Sequence, residues 1–415
     1  MRKLITTQRI KAGAVFANQA LASFSTFAIM FFLVRQIGVA EYGVYAMLFL
    51  IATSLMGIVN AIFAQPLVSI AGRLSPRRSR QLVHAASWGQ ISIVVVIFVL
   101  SAICAIVTPY GAEALALSFM TAAVVLAEFF RRIYFLRGYV LQIWVFDAIR
   151  YGIMIISFYA ISRIGHLNTG LTYAYAFSSA YLIGVAAFSF GPLIRMWRNF
   201  EFLRVAALCR RLLKSGKWLG FSMALQFLNG QAVILLGFGL LGAYEAGLVR
   251  VSQSIVGLTS PILQALEYTV PKWLGEKARR FRTKEALRRY TVFGAGLFAA
   301  LVLIYSAIGL PAQFYLTLIG IEDDPNAVLA LRGFCLIYIA NALFLLLRFE
   351  LRLLEKTRSV FYATGFSAAI AVALAWPSVS YFGISGIVAN ILISRLASIG
   401  LLMVFAIRER KNVIV

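Results

Sequence analysis

Four arginines, Arg150, Arg250, Arg332 and Arg395, stand inside long apolar stretches rather than between them. Arginine at the middle of a bilayer costs at least ~2.5 kcal/mol to insert and is tolerated mainly where it faces protein or a water-lined interior. A guanidinium stays charged at every relevant pH, and its paired N–H groups match the oxygens of a carboxylate or phosphate. The chemistry suggested by these residues is therefore recognition of an anion. Arg150 and Arg395 are the deepest and are the first candidates. Arg250 and Arg332 lie about a turn inside the outer ends of their segments, where long side chains can snorkel to water, and are the second.

Asp147 is the one acid near mid-depth, three residues before Arg150 and on the same helical face. Two readings stay open. Asp147 neutralises Arg150, or it is the ion-coupling residue of a process driven by H⁺ or Na⁺. Glu128 is followed by Arg131 and Arg132, and Glu267 lies a turn from Lys272, so interfacial ion pairing is expected for both. Cys104, Cys209 and Cys335 are far apart and His84 and His166 do not cluster, so no metal site or disulfide framework is expected. No GxxxxGK[ST] loop is present for ATP. The longest outer loop, about 310–326, holds three acids and no base, which disfavours a membrane-embedded glycan polymerase or transferase.

The elements that must position these residues follow from composition. Of 415 residues, 61% are hydrophobic and 13% charged, where a soluble domain carries about 25% charged residues. Each bilayer crossing takes roughly 20 apolar residues. Apolar runs predict twelve helices near 12–34, 43–71, 84–107, 113–130, 139–161 and 170–192, then 217–241, 246–271, 290–310, 327–347, 360–378 and 383–406. The net charge of +24 would suggest nucleic acid in a soluble chain, but here it records topology. With both termini cytoplasmic, the inner segments hold 33 Lys and Arg and the outer loops two, Arg35 and Arg163. The Glu322-Asp323-Asp324 cluster falls outside, as that orientation expects. Ala20-Leu21-Ala22 superficially resembles a signal-peptidase site, but the apolar run continues to Val34, so no cleavage is expected. The basic inner segments 195–217 and 272–289 read as faces toward anionic lipid headgroups.

An internal repeat relates the two halves at an offset near 204 residues. Gly38-Val39-Ala40-Glu41-Tyr42-Gly43 is matched by Gly242-Ala243-Tyr244-Glu245-Ala246-Gly247, and Pro66 by Pro271. Six helices per repeat is an even number, so the halves run in the same orientation and are related by a pseudo-two-fold axis along the membrane normal. The expected organisation is an all-α integral membrane protein with an N-terminal six-helix lobe over 1–197, a cytoplasmic connector over 198–216 and a C-terminal six-helix lobe over 217–415. Gly216-Lys217-Trp218-Leu219-Gly220 fits the GxxxG pattern of close helix packing, a weak signal in a chain with 31 glycines.

At Gly38-x-x-Glu41-x-Gly43, after a first helix carrying Asn18, Gln19, Ser23, Ser25 and Thr26, the chain resembles bacterial polysaccharide flippases of the Wzx type. These belong to the MOP superfamily, with lipid II flippases and multidrug and toxin extrusion (MATE) antiporters. The resemblance covers nearly the whole chain and is sharpest over 13–73 and 216–275. It implies two six-helix lobes around a central cavity and residence in the bacterial inner membrane. It also implies movement of undecaprenyl-pyrophosphate-linked oligosaccharide to the periplasmic leaflet for O-antigen or exopolysaccharide synthesis. A glycan polymerase and a chain-length regulator are the implied partners, with no cofactor and no nucleic acid. Lipid II flippases carry arginines in the first helix, whereas this chain has no Lys or Arg between Lys11 and Arg35. The alternative is a MATE-like ion-coupled exporter of small organic molecules, which would favour acidic groups in the cavity.

Overall fold

The computed structural model describes the chain except for residues 1, 72–75, 138, 166–167, 199–201, 264–265, 267–269, 271–282, 355 and 415. Glu267, Pro271, His166 and the start of the 272–289 segment thus lie outside the described residues. What is described is helical throughout: α1 (Arg2–Ile62), α2 (Ala64–Ala71), α3 (Pro76–Val107), α4 (Gly111–Arg137), α5 (Val140–Arg163), α6 (Gly170–Arg198) and α7 (Phe202–Leu228), then α8 (Gln231–Leu241), α9 (Ala243–Gly257), α10 (Thr283–Gly309), α11 (Ala312–Ile319), α12 (Pro325–Leu353) and α13 (Thr357–Ile414). No strand occurs among the described residues.

Among the described residues, eight helices are long and apolar enough to cross a membrane, or nine if the bent pair α7/α8 is one span. Two of the eight are double-length. Ala20–Leu67 runs 48 residues and Arg358–Arg410 runs 53, each enough for two passes of roughly 20. α1 breaks at Gly38 and α13 at Gly383, the positions where the sequence places outer turns. α9 begins the expected 246–271 span, whose second half is largely outside the described residues. The fold is thus the many-pass helical membrane architecture that composition predicts. Two local differences stand out. The outer loop at 310–326 folds its centre into α11, and the 217–241 run is interrupted at Asn229-Gly230. The second break is held by side chains that remain inside the helix packing. Ser367 Oγ donates to Asn229 Oδ1 at 2.8 Å.

Contacts divide the chain into Met1–Gly43 with Leu225–Val415, and Val44–Ala224. This division differs from the 1–197 and 217–415 lobes drawn from the repeat, because the first helix groups with the C-terminal half. The two copies of the glycine motif show why. Gly38 (φ 78°, ψ 172°) and Gly242 (φ 109°, ψ −179°) take the same left-handed backbone, open to glycine and strained for other residues. Five residues on, a Cβ at Gly43 would lie 1.9 Å from the Ala243 carbonyl oxygen, and one at Gly247 would lie 2.3 Å from the Val39 carbonyl oxygen. Val39 and Ala243 are themselves repeat equivalents, so each turn packs on the other through the same atoms. The Tyr42 hydroxyl and Ser254 Oγ, 3.5 Å apart, add to this contact.

In the Val44–Ala224 unit the GxxxG pattern proves to be real packing. A Cβ at Gly216 would meet the Ile62 carbonyl oxygen at 2.1 Å, and one at Gly220 the Ile62 side chain at 2.6 Å. These glycines bring α7 onto the second arm of α1. An aromatic column of Tyr45, Phe49, Phe177 and Tyr181 ties that arm to α6, with Phe177 and Tyr181 stacked at 4.2 Å.

Candidate functional site

Arg150 lies on α5, ten residues from its first residue Val140 and so roughly 15 Å along the helix. Its neighbours on the same turns decide its state. Nη2 is 2.8 Å from Asp147 Oδ1 and donates to the Tyr151 hydroxyl at 3.1 Å. The guanidinium also sits 4.6 Å from the ring centre of Tyr181, 4.7 Å from Tyr151 and 5.3 Å from Phe146. Desolvated cation–π contacts contribute about 2 kcal/mol at the favourable end of their range. Arg150 is therefore enclosed by one carboxylate and three rings, and its side chain is 5% exposed.

Asp147 is equally enclosed. Its second oxygen faces Arg131 Nε of α4 at 3.9 Å; Arg131 in turn meets Glu128 at 3.4 Å, and Glu128 meets Arg132 at 2.9 Å. The result is a chain of alternating charge across α4 and α5. Asp147 and Arg150 pair as one of the two open readings holds. Glu128 is an ion-pair residue as its spacing suggests, while the role of Arg131 as a bridge to Asp147 was not visible in the sequence. Arg131 is 16 positions from Asp147, on another helix, and no periodicity connects them.

Arg395 is on the second arm of α13, twelve residues beyond the Gly383 break, or about 18 Å along the helix. Its guanidinium rests 4.7 Å from the ring centre of Phe344 on α12. Its buried Nε has no hydrogen-bond partner, and among the described residues no carboxylate lies within ion-pair distance. The buried acid of this unit among the described residues is Glu350, at the basic end of α12. It is already engaged. Arg410 grips it with both ends of the guanidinium, Nε to Oε1 and Nη2 to Oε2, the latter at 2.7 Å. Arg348, one turn along α12 from Phe344, places its guanidinium 6.0 Å from the same ring. No spacing in the sequence shows that Arg348 and Arg395, 47 residues apart on two helices, lie against one ring.

The other two arginines are held differently. Arg250, half-buried on α9, donates from Nη1 to Gln253 Oε1. Arg332 is exposed on α12 and donates from Nε to the Gly309 carbonyl at 3.3 Å. Both belong to the unit that contains Arg395. At the N-terminus of α12 Asp324 caps the helix, accepting from the Asn326 amide at 2.8 Å. It also accepts from the Tyr244 hydroxyl at 2.8 Å. Partial burial and the Asp324 carboxylate push the Tyr244 phenol up to about 12. No cluster of three metal-ligating side chains occurs among the described residues.

No family model and no curated protein matches the sequence. Solved structures do match the fold. The lipid II flippase MurJ in an inward-closed conformation superposes with a TM-score of 0.68 at 12% identity, covering 96% of this chain and 87% of that one. A MATE protein in complex with MaD3S gives 0.59 at 13% identity, covering 97% and 95%. A multidrug resistance MATE transporter of the MOP superfamily, in its outward-facing conformation, gives 0.51 at 15% identity, covering 97% and 94%. The chain has the fold of these transporters over nearly its full length.

Proposed function

We propose that the protein is a flippase that moves an undecaprenyl-pyrophosphate-linked oligosaccharide from the cytoplasmic to the periplasmic leaflet of the bacterial inner membrane, for O-antigen or exopolysaccharide synthesis. The observation that carries this reading is Arg395, a half-buried cation deep in a span whose buried Nε has no hydrogen-bond partner and which has no acidic partner among the described residues. A charge so placed is costly unless something arrives to neutralise it. The cargo fitting that surplus is an anion, and a lipid-linked pyrophosphate supplies one. The fold shared with a lipid II flippase supports the same class of cargo. Arg150 is the weaker binding candidate, because Asp147 already forms an ion pair with it. Arg250 and Arg332 would serve as outer contacts along the route. The reaction needs no cofactor and no catalytic residue, and a glycan polymerase and chain-length regulator would receive the product.

The experiment is leaflet-resolved quantification of the lipid-linked oligosaccharide in cells lacking the protein. Cytoplasmic-leaflet accumulation, relieved by the wild type and not by Arg395→Ala at equal protein level, is the expected result. Absence of accumulation would reject flipping. Coupling to H⁺ or Na⁺ is assigned to Asp147 as the mid-depth acid, although two arginines engage it. An Asp147→Asn variant whose transport keeps its wild-type pH and Na⁺ dependence removes that assignment. The second reading, ion-coupled export of small organic molecules, is favoured by the MATE fold match. Efflux of a fluorescent organic cation by the wild type, without leaflet accumulation in its absence, would select it.

A further inference from the structure

We propose that the accessible face of α9 is a wetted wall along which the sugars of the cargo pass, with Gln253, Ser254 and Tyr338 as its hydroxyl-binding side chains. The proposal rests on the flippase reading above and specifies where the uncharged part of the cargo is held. Between Ala246 and Gly257, the residues that are not buried are Arg250, Gln253, Ser254 and Gly257. Steps of three, four and seven from Arg250 put them on one side of the helix, roughly 12–22 Å along it from the Gly242 turn. The rest of this stretch is buried.

A helix face open to lipid is apolar, because hydrocarbon offers a polar group no partner. α3 shows that pattern, with Val95, Val96, Val99, Leu100 and Ile103 all more than half exposed. The open face of α9 has the opposite chemistry, and two neighbouring helices add to it. Tyr42 of α1 brings its hydroxyl to 3.5 Å from Ser254 Oγ. Tyr338 of α12, itself half-buried, stands at the other end, where a Cβ at Gly257 would lie 3.7 Å from the phenol oxygen. These residues all belong to one contact unit. A polar face of this kind is tolerated in a membrane where it meets water or a polar cargo. Its groups narrow the cargo. Serine and tyrosine hydroxyls both donate and accept, and a glutamine amide does so through separate atoms, which suits the neighbouring hydroxyls of a sugar. Arg250 donates from Nη1 to Gln253 Oε1 and so holds that amide. It is the one charge on the face, so an organic cation finds no counter-ion among these residues.

The test has two parts, both on the full-length chain. In a background with Cys104, Cys209 and Cys335 replaced by alanine, Gln253→Cys, Ser254→Cys and Val99→Cys are each treated with membrane-impermeant sulfonatoethyl methanethiosulfonate, in intact cells and in inverted membrane vesicles. The thiolate is the reacting species, and apolar surroundings suppress it, so thiols at 253 and 254 should react about tenfold faster or more than the one at 99 from at least one side. The second part is the leaflet assay with two lipids, the complete lipid-linked oligosaccharide and the carrier from cells whose glycan assembly stops at the first sugar. Gln253→Leu, of similar volume, should slow the complete lipid about fivefold or more and the single-sugar lipid by less than about twofold, because the lost hydrogen bonds belong to sugars that only the first lipid carries. Tyr338→Phe should act in the same direction, and Gln253→Asn, which keeps an amide, should retain most of the rate. Equal slowing of both lipids by Gln253→Leu, or slowing of neither, overturns the sugar assignment. The two readings fail separately. Thiols at 253 and 254 no more reactive than the one at 99, in a protein that flips the lipid, overturn the wall and leave the flippase. Reactive thiols in a protein that flips neither lipid overturn the flippase and, with it, the sugar assignment.

Discussion

The two contact units each bury a carboxylate and each hold a deep arginine, buried at Arg150 and half-buried at Arg395, and they differ in whether the two meet. In the Val44–Ala224 unit Asp147 stands at the depth of Arg150 and forms an ion pair with it at 2.8 Å. In the other, Glu350 sits at the basic end of α12 and is gripped by Arg410, while Arg395 lies deeper and has an aromatic face for company. One unit thus holds its deep arginine in an ion-pair network, and the other leaves it without an acidic partner among the described residues. The lesson concerns placement. A buried ion pair that is well made contributes little net stability but is expensive to break, whereas a buried charge with no partner is a cost that function must justify.

The largest expected effect comes from breaking the balanced unit. Asp147→Asn leaves Arg150 and Arg131 facing each other without their shared acid, and should cost roughly 3–5 kcal/mol in reversible unfolding in mixed micelles. A cost under about 1 kcal/mol would mean the network is not a closed charge system. Adding Arg150→Met to that variant should restore much of the loss, because the uncompensated charge goes with it; a cycle with no coupling energy would show that the two side chains act independently. Glu350→Gln in the other unit should cost less, about 1–2 kcal/mol, since its partner Arg410 keeps 38% of its side chain exposed and can turn to water. The smallest effect on stability is expected at the unbalanced arginine itself. Arg395→Met should leave the melting temperature unchanged or raise it, while transport is lost. A destabilised Arg395→Met protein would reveal a structural role and erase the contrast between the units.

Much of the fold is legible in the sequence because bilayer insertion obeys composition. The apolar runs at 84–107, 139–161 and 290–310 became α3, α5 and α10 with their polar flanks added, since an exposed backbone polar group in lipid must be satisfied within its own helix. The glycine motif at 38–43 and 242–247 was legible as a repeat, and its two copies share one backbone conformation. What the motif does was not legible. Gly43 and Gly247 are glycine because each receives a carbonyl of the other turn, a contact between segments about 200 residues apart. The same limit applies to Gly216 and Gly220, whose pattern was common enough to arise by chance until Ile62 was found against both.

The candidate site divides along the same line. The sequence by itself determined that the chain is a many-pass helical membrane protein, that its basic residues gather in alternate segments between the apolar runs, and that its deep charges are mostly arginine. Those properties are set by residue type and by spacing along one helix, as is the pairing of Asp147 with Arg150 three positions on. Only the tertiary structure decided which arginine would be left unbalanced. Arg131 reaches Asp147 from a neighbouring helix, Arg410 takes Glu350 from 60 residues away, and Phe344 gathers Arg348 and Arg395 from two helices. The physical reason is that electrostatic energy inside a protein depends on separation over a few ångströms, and helix packing sets such separations between residues remote in the chain.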